Sequence, residues 1–259
     1  MLAKNYEDCE LVVSMKLCGY GVVVFLLLSM FSGAVHSQNI YTENFPPYNY
    51  QVDGKLVGLS SKIIQKMADE IGAEPSISLL PWSRAYKFAK ERKNSGIFSI
   101  VRVPPREADF QWVGPIETVN MGIYTSELNA IEYSGGNETR LEQARQAASI
   151  GVQRGGAAEK ILMSMGFKNL YHSATTRKAI LRLIDHRYEL LALDENYVEY
   201  ILKAENIPLS RIRRVADIGE FNLYLAFSNS TPIDVVEKWQ QALDTIKSRS
   251  QLENDELTN

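Results

Sequence analysis

The chain has 259 residues, a formal net charge of −3 and two cysteines. The near balance of 28 basic against 31 acidic residues leaves no cationic excess to hold nucleic acid or an anionic membrane surface. Cys9 and Cys18 both fall near the start, so the rest of the chain has no thiol for a disulfide, a thiolate metal site or a nucleophile. His172 and His186 lack ligand-like spacing and read as structural or surface residues. Neither a metal nor an organic cofactor is expected.

The first segment carries a targeting pattern. An apolar run, Val22 to Met30, follows Lys16 and ends in Ser32-Gly33-Ala34-Val35-His36-Ser37. That order of positive charge, apolar core and small residues is the layout of a secretory signal peptide. It predicts cleavage between Ser37 and Gln38, with Val35 and Ser37 as the small recognition pair, and a periplasmic destination. A membrane anchor is the rival reading, since Gly19 to Val35 is roughly 17 residues, the shortest spanning length. Its internal Gly and Ser and the missing Lys/Arg cluster after it argue for cleavage instead. Cys18 precedes the apolar core, which does not fit a lipoprotein. Glu7, Asp8 and Glu10 suit a signal n-region poorly, and a start at Met15 gives a tidier one. Without residues 1–37 about 220 residues remain, enough for one large domain or two lobes, with a net charge of about −2.

In chain order, Asn39–Thr42 reads as a strand. Leu59–Ile71 then places Ile63, Ile64, Met67, Ala68 and Ile71 on one helical stripe, with Ser60 or Ser61 as N-cap and Gly72 as the stop. Strand Ser76–Leu80, helix Trp82–Arg92, strand Ile97–Arg102 and an extended Met121–Ser126 follow. Ser134-Gly135-Gly136-Asn137 opens a polar loop. Beyond it come strand Ala148–Gln153, helix Ala157–Met165, helix Thr175–His186, strand Glu189–Leu193, helix Glu195–Ala204 and strand Asn222–Ser228. The last helix has Thr231 as N-cap, Pro232 in its first turn, Asp234 in a capping-box position and an apolar stripe through Val235, Val236, Trp239, Leu243 and Ile246. The polar tail Ser248–Asn259 is expected to fray. Alternating strands and helices predict an α/β architecture, and the polar break near Ser134–Leu141 suggests a second α/β unit inserted into the first.

Four constellations carry candidate chemistry. The loop after the first strand, Tyr41 to Tyr50, holds Phe45, Pro46, Pro47 and Tyr48; its rigid aromatics either stack on a ligand or pack on their own lobe. Trp82 and Arg84 lie at a strand-to-helix junction, where ligands bind in open α/β sheets. Arg102 and Arg106 flank Val103-Pro104-Pro105 beyond a strand end, and a guanidinium there can fork onto a carboxylate. Finally, Gln153-Arg154-Gly155-Gly156 precedes a helix and suits an anion. Asp194 stands just past the partner strand, where it either receives an ammonium or simply N-caps the helix from Glu195. The glycine pair lacks the lysine and hydroxyl of a P-loop.

Taken in order over residues 38–250, these segments resemble the bacterial extracellular solute-binding proteins of family 3, the periplasmic amino-acid-binding type. The likeness runs through Phe45-Pro46-Pro47-Tyr48, then Asp53 to Gly58, Trp82, Pro104-Pro105-Arg106-Glu107, Phe110 and Val113-Gly114-Pro115, and on through Gly151 to Gly155 and Leu191 to Asp194. It implies a two-lobed α/β periplasmic binding protein fold of type II, with lobes joined by two hinge crossovers near Glu117–Ile123 and Ile218–Asn222. Lobe 1 would comprise residues 38–119 plus 220–259, and lobe 2 residues 120–219. The ligand would lie between them, where closure excludes water. Carried over by position, Arg106 would clamp a ligand carboxylate and Asp194 its ammonium. Phe45 and Trp82 would sandwich the ligand body, and Gln153, Gly155 and Gly156 would add hydrogen bonds.

The departures from the family pattern bear on the ligand. Val101, Val103 and Gly156 stand where members typically carry hydroxyl residues. Three donors to a charged group are thereby lost, each contributing about 1.5–3 kcal/mol. Arg84 and Arg102 add positive groups, which brings a dicarboxylate into consideration, and Tyr48 is a further candidate contact. The expected function is non-enzymatic: a monomeric periplasmic receptor that captures a small carboxylate-bearing solute, an amino acid above all, for an inner-membrane ABC permease or a sensor. The alternatives are a dehydratase-like enzyme on the same fold, with Glu43, Glu117 or Asp194 as acid or base, and a sensor or interaction protein with a diverged site.

Overall fold

A computed structural model describes residues 38–258 of the chain. The expected signal peptide, its cleavage site and the alternative start all lie outside the described residues. No helix among the described residues is long and apolar enough to cross a membrane.

The first half is built from parallel units. Strand β1 (Asn39–Thr42) pairs in parallel with β4 (Ser76–Leu79) on one side and β5 (Ser95–Val101) on the other. Helix α1 (Leu59–Glu70) and helix α2 (Trp82–Glu91) make the crossovers. In α1, Ile64, Met67 and Ala68 are buried at the i, i+3, i+4 spacing of an amphipathic helix. Neither Ser60 nor Ser61 caps it: the N-cap is Gly58, at φ 116, and both serines are buried in the first turn. A Cβ on Gly58 would stand 2.3 Å from the Tyr48 carbonyl oxygen, so only glycine lets the loop pass there. Gly72, at φ 62, ends the helix as expected.

The second half repeats the scheme. Strand β7 (Ile150–Gln153) pairs in parallel with β8 (Leu170–Ser173) and β9 (Leu190–Asp194). Helices α4 (Ala157–Ser164), α5 (Thr176–Ile184) and α6 (Glu195–Ala204) follow the strands. Two strands of 17 residues each, β6 (Phe110–Ser126) and β10 (Ile212–Ser228), join the halves. They run antiparallel along most of their length and sit at the centre of one eight-stranded sheet, in the order β4-β1-β5-β10-β6-β9-β7-β8. The last residues of β10 pair with β5, while the last residues of β6 pair with β9. Each long strand therefore starts in one lobe and ends in the other. This is the two-lobed fold with two crossovers that the resemblance implies.

Several elements differ from expectation. Both crossover strands are far longer than the Met121–Ser126 and Asn222–Ser228 segments expected, because their alternation is interrupted where they leave one core for the next. A hairpin of β2 (Tyr50–Val52) and β3 (Lys55–Val57) turns at Asp53-Gly54, both at positive φ, as a two-residue loop of this type requires. The polar loop expected at 134–141 contains the start of helix α3 (Asn137–Gln146), which buries only Leu141 and Ala144 and so shows little periodicity. The last helix, α7 (Ile233–Thr258), does not fray at Ser248. Its Arg249 forks onto Glu70 of α1 at 2.6 and 3.0 Å, and Lys247 donates to the Pro115 carbonyl at 2.6 Å. The helix also starts at Ile233 rather than directly after a Thr231 cap; the Thr231 hydroxyl pairs with Ser228 instead.

Helix α7 lays Val236, Trp239, Ala242 and Leu243 into the first lobe's core. Trp239 is fully buried, its ring centroid 5.8 Å from that of Phe227 in β10. Trp239→Ala is expected to lower unfolding free energy by about 3–5 kcal/mol with an unchanged denaturant slope. Urea titration checks this, and a loss under about 1 kcal/mol would contradict the packing.

Candidate functional site

The ends of the parallel strands from both lobes meet across one cleft. Its inner cavity, about 50 Å³, is lined among others by Glu43, Phe45, Trp82, Ser99, Arg106 and Asp194. Glu43 and Phe45 come from the loop after β1, and Trp82 is the first residue of α2. Arg106 lies on a short 3-10 turn, Pro104–Asp109, directly after β5. From the other lobe, Gln153 ends β7, Gly156 caps α4 and Asp194 ends β9.

Arg106 is the electrostatic centre. It is 2% exposed, and its guanidinium donates to the Val101 carbonyl at 2.9 Å and, across the cleft, to the Gly155 carbonyl at 2.8 Å. Trp82 and Tyr86 face it at 4.9 and 5.6 Å from their ring centroids, a cation–π arrangement that favours the charge. Burial pushes its pKa down to about 10, with nearby Tyr86, Glu43 and Glu159 opposing the shift, so it stays charged at neutral pH. The Trp82 indole donates to the same Gly155 carbonyl at 2.8 Å. Gly155, at φ 70, has its own N–H held by Glu159 at 2.6 Å, and His172 lies 2.5 Å from that carboxylate.

Two carboxylates enter the cavity. Gln153 donates to Glu43 across the cleft at 2.5 Å. Burial raises the Glu43 pKa to about 7, against the Gln153 hydrogen bond and the Arg106 charge. Asp194 is 1% exposed and caps α6 by accepting the Tyr197 N–H at 2.9 Å. It also accepts the Tyr48 hydroxyl at 3.3 Å, and Asn196 donates to that hydroxyl at 2.8 Å. Burial raises Asp194 to about 6, with the Tyr197 and Tyr48 hydrogen bonds working against it.

Of the residues expected at the site, Phe45, Trp82, Val101, Arg106, Gln153, Gly156 and Asp194 line the inner cavity. Gly155 contributes its carbonyl, and Tyr48 acts through Asp194. Phe45 lies between Tyr48 and Tyr197 at 4.9 and 5.3 Å, and Trp82 leans on Tyr86. Two expected additions fall elsewhere. Arg84 is exposed on α2, outside the cavity lining. Arg102 is also outside it; it pairs with Glu107 and stacks on Trp112 and Tyr224 at 5.4 and 5.8 Å. Neither supplies the second positive group of a dianion site.

The sequence reading missed two hydroxyls and one pairing. Ser99 lines the cavity at φ 58 with its buried Oγ lacking any hydrogen-bond partner; Thr176, also buried, lines it from the start of α5. They bring two hydroxyls to a cavity in which Val101 and Gly156 carry none. Glu43 and Asp194 share one cavity, although no pairing of carboxylates was legible from their separation in sequence. Among the described residues no group of His, Cys, Asp and Glu could hold a metal ion.

A model of the bacterial extracellular solute-binding proteins, family 3, matches residues 39–255. A probable histidine-binding protein of Campylobacter jejuni is 21% identical over 211 residues, covering 79% of this chain and 77% of that protein. Among solved structures, a histidine kinase sensor domain with similarity to periplasmic binding proteins superposes with a TM-score of 0.74 at 17% identity, over 86% of this chain and 95% of that one. The arginine-, lysine-, histidine-binding protein ArtJ of Geobacillus stearothermophilus gives 0.70 at 15% identity, over 83% of this chain and 91% of that one.

The raised carboxyl groups fix the sign of a pH effect. A carboxyl whose pKa is higher folded than unfolded contributes stability that is full below its unfolded pKa and is lost as pH rises through the folded value. For Asp194 and Glu43 the loss runs from about pH 4 to about pH 6 and 7 respectively. Urea midpoints are expected to fall between pH 5 and pH 8, and Glu43→Gln to remove most of the difference. A variant that keeps the full pH dependence would show that Glu43 is not its source.

Proposed function

The chain belongs to the bacterial extracellular solute-binding proteins of family 3, and from that membership we propose that it is a receptor that closes its two lobes on an amino acid or a similar zwitterion. The observation that carries this reading is the convergence of a buried guanidinium and a buried carboxylate from opposite lobes, Arg106 and Asp194, on one cavity. A ligand carboxylate takes the place of the Gly155 carbonyl on Arg106, and its ammonium takes the place of the Tyr48 hydroxyl on Asp194. Each exchange swaps a neutral partner for a charged one, turning a hydrogen bond with one ionised partner into an ion pair. Ser99 offers its free hydroxyl to the same head group. Histidine and arginine, named for relatives of this chain, are the first solutes to test.

The lobes of this reading are residues 38–119 with 220–259, and residues 120–219. In the paired crossovers Asn120 faces Glu220 and Met121 faces Gly219, next to a register shift; Gly219 is at φ 139, which frees the backbone to bend there. The reading places the protein in the periplasm after loss of residues 1–37, working as a monomer with an ABC permease. The sensor-domain neighbour supports a second output, in which closure is read by a membrane kinase. Two carboxyl groups in one cavity with pKa values raised to about 7 and about 6 also support a dehydratase-like activity on the same fold, since raised carboxyl pKa values suit acid–base work.

Isothermal titration of the purified, refolded protein with amino acids separates these readings. The receptor reading expects saturable one-to-one binding without turnover, and Arg106→Ala weakens it by at least 100-fold, equivalent to about 2.7 kcal/mol. Product formation would favour the enzyme, and full affinity in Arg106→Ala would contradict the head-group clamp.

A further inference from the structure

The inner cavity is too small for a whole amino acid with a long side chain. Its volume of about 50 Å³ is well below the roughly 300–1,000 Å³ usual for a small-molecule site. That suits a head group of carboxylate, Cα and ammonium. A second space of about 430 Å³ opens beside it and shares Glu43, Trp82, Gln153 and Thr176 as walls. Of these two spaces, the outer groove is the one within the usual size of a small-molecule site, about 300–1,000 Å³. The Glu43–Gln153 hydrogen bond marks the boundary between the two.

The outer groove has an apolar floor and a cationic rim. Leu79, Leu80, Pro81 and Tyr197 line it, and Arg177 and Lys178 stand at its edge in the first turn of α5. Arg177 is tied to Glu205 at 2.7 Å, whereas Lys178 has no ion-pair partner among the described residues. Glu43, at the inner boundary, is the sole acidic residue lining the groove among the described residues. A side chain leaving the inner cavity therefore passes an acid–amide pair, crosses an apolar floor and meets positive charge.

We infer that the ligand is an amino acid whose side chain is extended by an acyl or similar conjugate, ending in a second carboxylate beside Lys178 and Arg177. The inference rests on the receptor reading above and specifies its substrate class. Glu43, whose pKa burial raises to about 7, is partly protonated at neutral pH and so can donate or accept beside the Gln153 amide. That pair matches the donor and acceptor of a ligand amide at the boundary.

Calorimetric titration with lysine, Nε-acetyl-lysine and Nε-succinyl-lysine tests it, since the three share a head group and differ only in the tail. Nε-Succinyl-lysine is expected to bind at least tenfold tighter than Nε-acetyl-lysine. Lys178→Glu, and the milder Lys178→Gln, should bring that ratio close to one while the thermal midpoint of the free protein is kept. Equal or tighter binding of lysine or Nε-acetyl-lysine would overturn the extended-tail inference and leave the receptor reading standing. So would a panel in which ordinary amino acids bind and none of these three does. Failure of every amino acid and conjugate would overturn the receptor reading itself.

Discussion

Two donors of the first lobe, the Trp82 indole and the Arg106 guanidinium, meet on one carbonyl of the second, that of Gly155. The rest of the cleft is arranged around this point. A guanidinium as buried as Arg106 is costly unless its donors are satisfied, and the Val101 and Gly155 carbonyls satisfy it from both sides. Gly155 can present its carbonyl there because it takes a left-handed φ and because Glu159 holds its N–H. The junction is a set of exchangeable hydrogen bonds rather than an apolar seal. On the receptor reading proposed above, a ligand carboxylate displaces the neutral Gly155 carbonyl, and occupancy of the cleft would be coupled to the distance between the lobes.

The fold supplies the geometry for that exchange. Parallel strands from both lobes end at the cleft, so loops and helix starts bring their polar groups to one place. The two long strands β6 and β10 carry the chain between the lobes and also form part of the cavity wall, through Val119, Met121 and Leu223. In the proposed closure, a bend near Gly219 would move the second lobe's Gly155 and Asp194 relative to the first lobe's Arg106 and Phe45. Asp194 has a structural duty as well, capping α6 through the Tyr197 N–H. One of its oxygens is fixed by the helix; the other accepts the Tyr48 hydroxyl and is the one the proposed reading gives to a ligand ammonium.

Much of this was legible in the sequence, and what was not has particular causes. The helical stripe of Ile64, Met67 and Ala68 and the strand–glycine–helix passage at Gln153–Gly156 announce themselves through periodicity and punctuation. The lengths of β6 and β10 do not, because a strand that leaves one core and enters another loses a single alternation. Asp53-Gly54 is a clear hairpin signal, masked by the shortness of the strands on either side. Cap assignment failed at Gly58, where close approach of the Tyr48 carbonyl outweighs the preference for serine. At the site, Arg106 and Asp194 could be named from order along the chain. The free Oγ of Ser99 depends on a left-handed residue within a strand, and the meeting of Glu43 with Gln153 depends on how the lobes face each other; neither leaves a local mark. Arg102 was misplaced because Glu107, five residues on, captures it on the surface.

The measurement that most directly tests the account is the distance between the lobes with and without ligand. Residues 38–258 contain no cysteine, so with Cys9 and Cys18 replaced by serine a spin-label pair at Lys87 of α2 and Met163 of α4 is unique. The account predicts that a bound amino acid or conjugate narrows the pulsed-resonance distance distribution to one short separation, and that Arg106→Ala stays broad at the same ligand concentration. A distribution unmoved by any ligand that binds, or one that narrows equally well without Arg106, would contradict a cleft closed through that guanidinium.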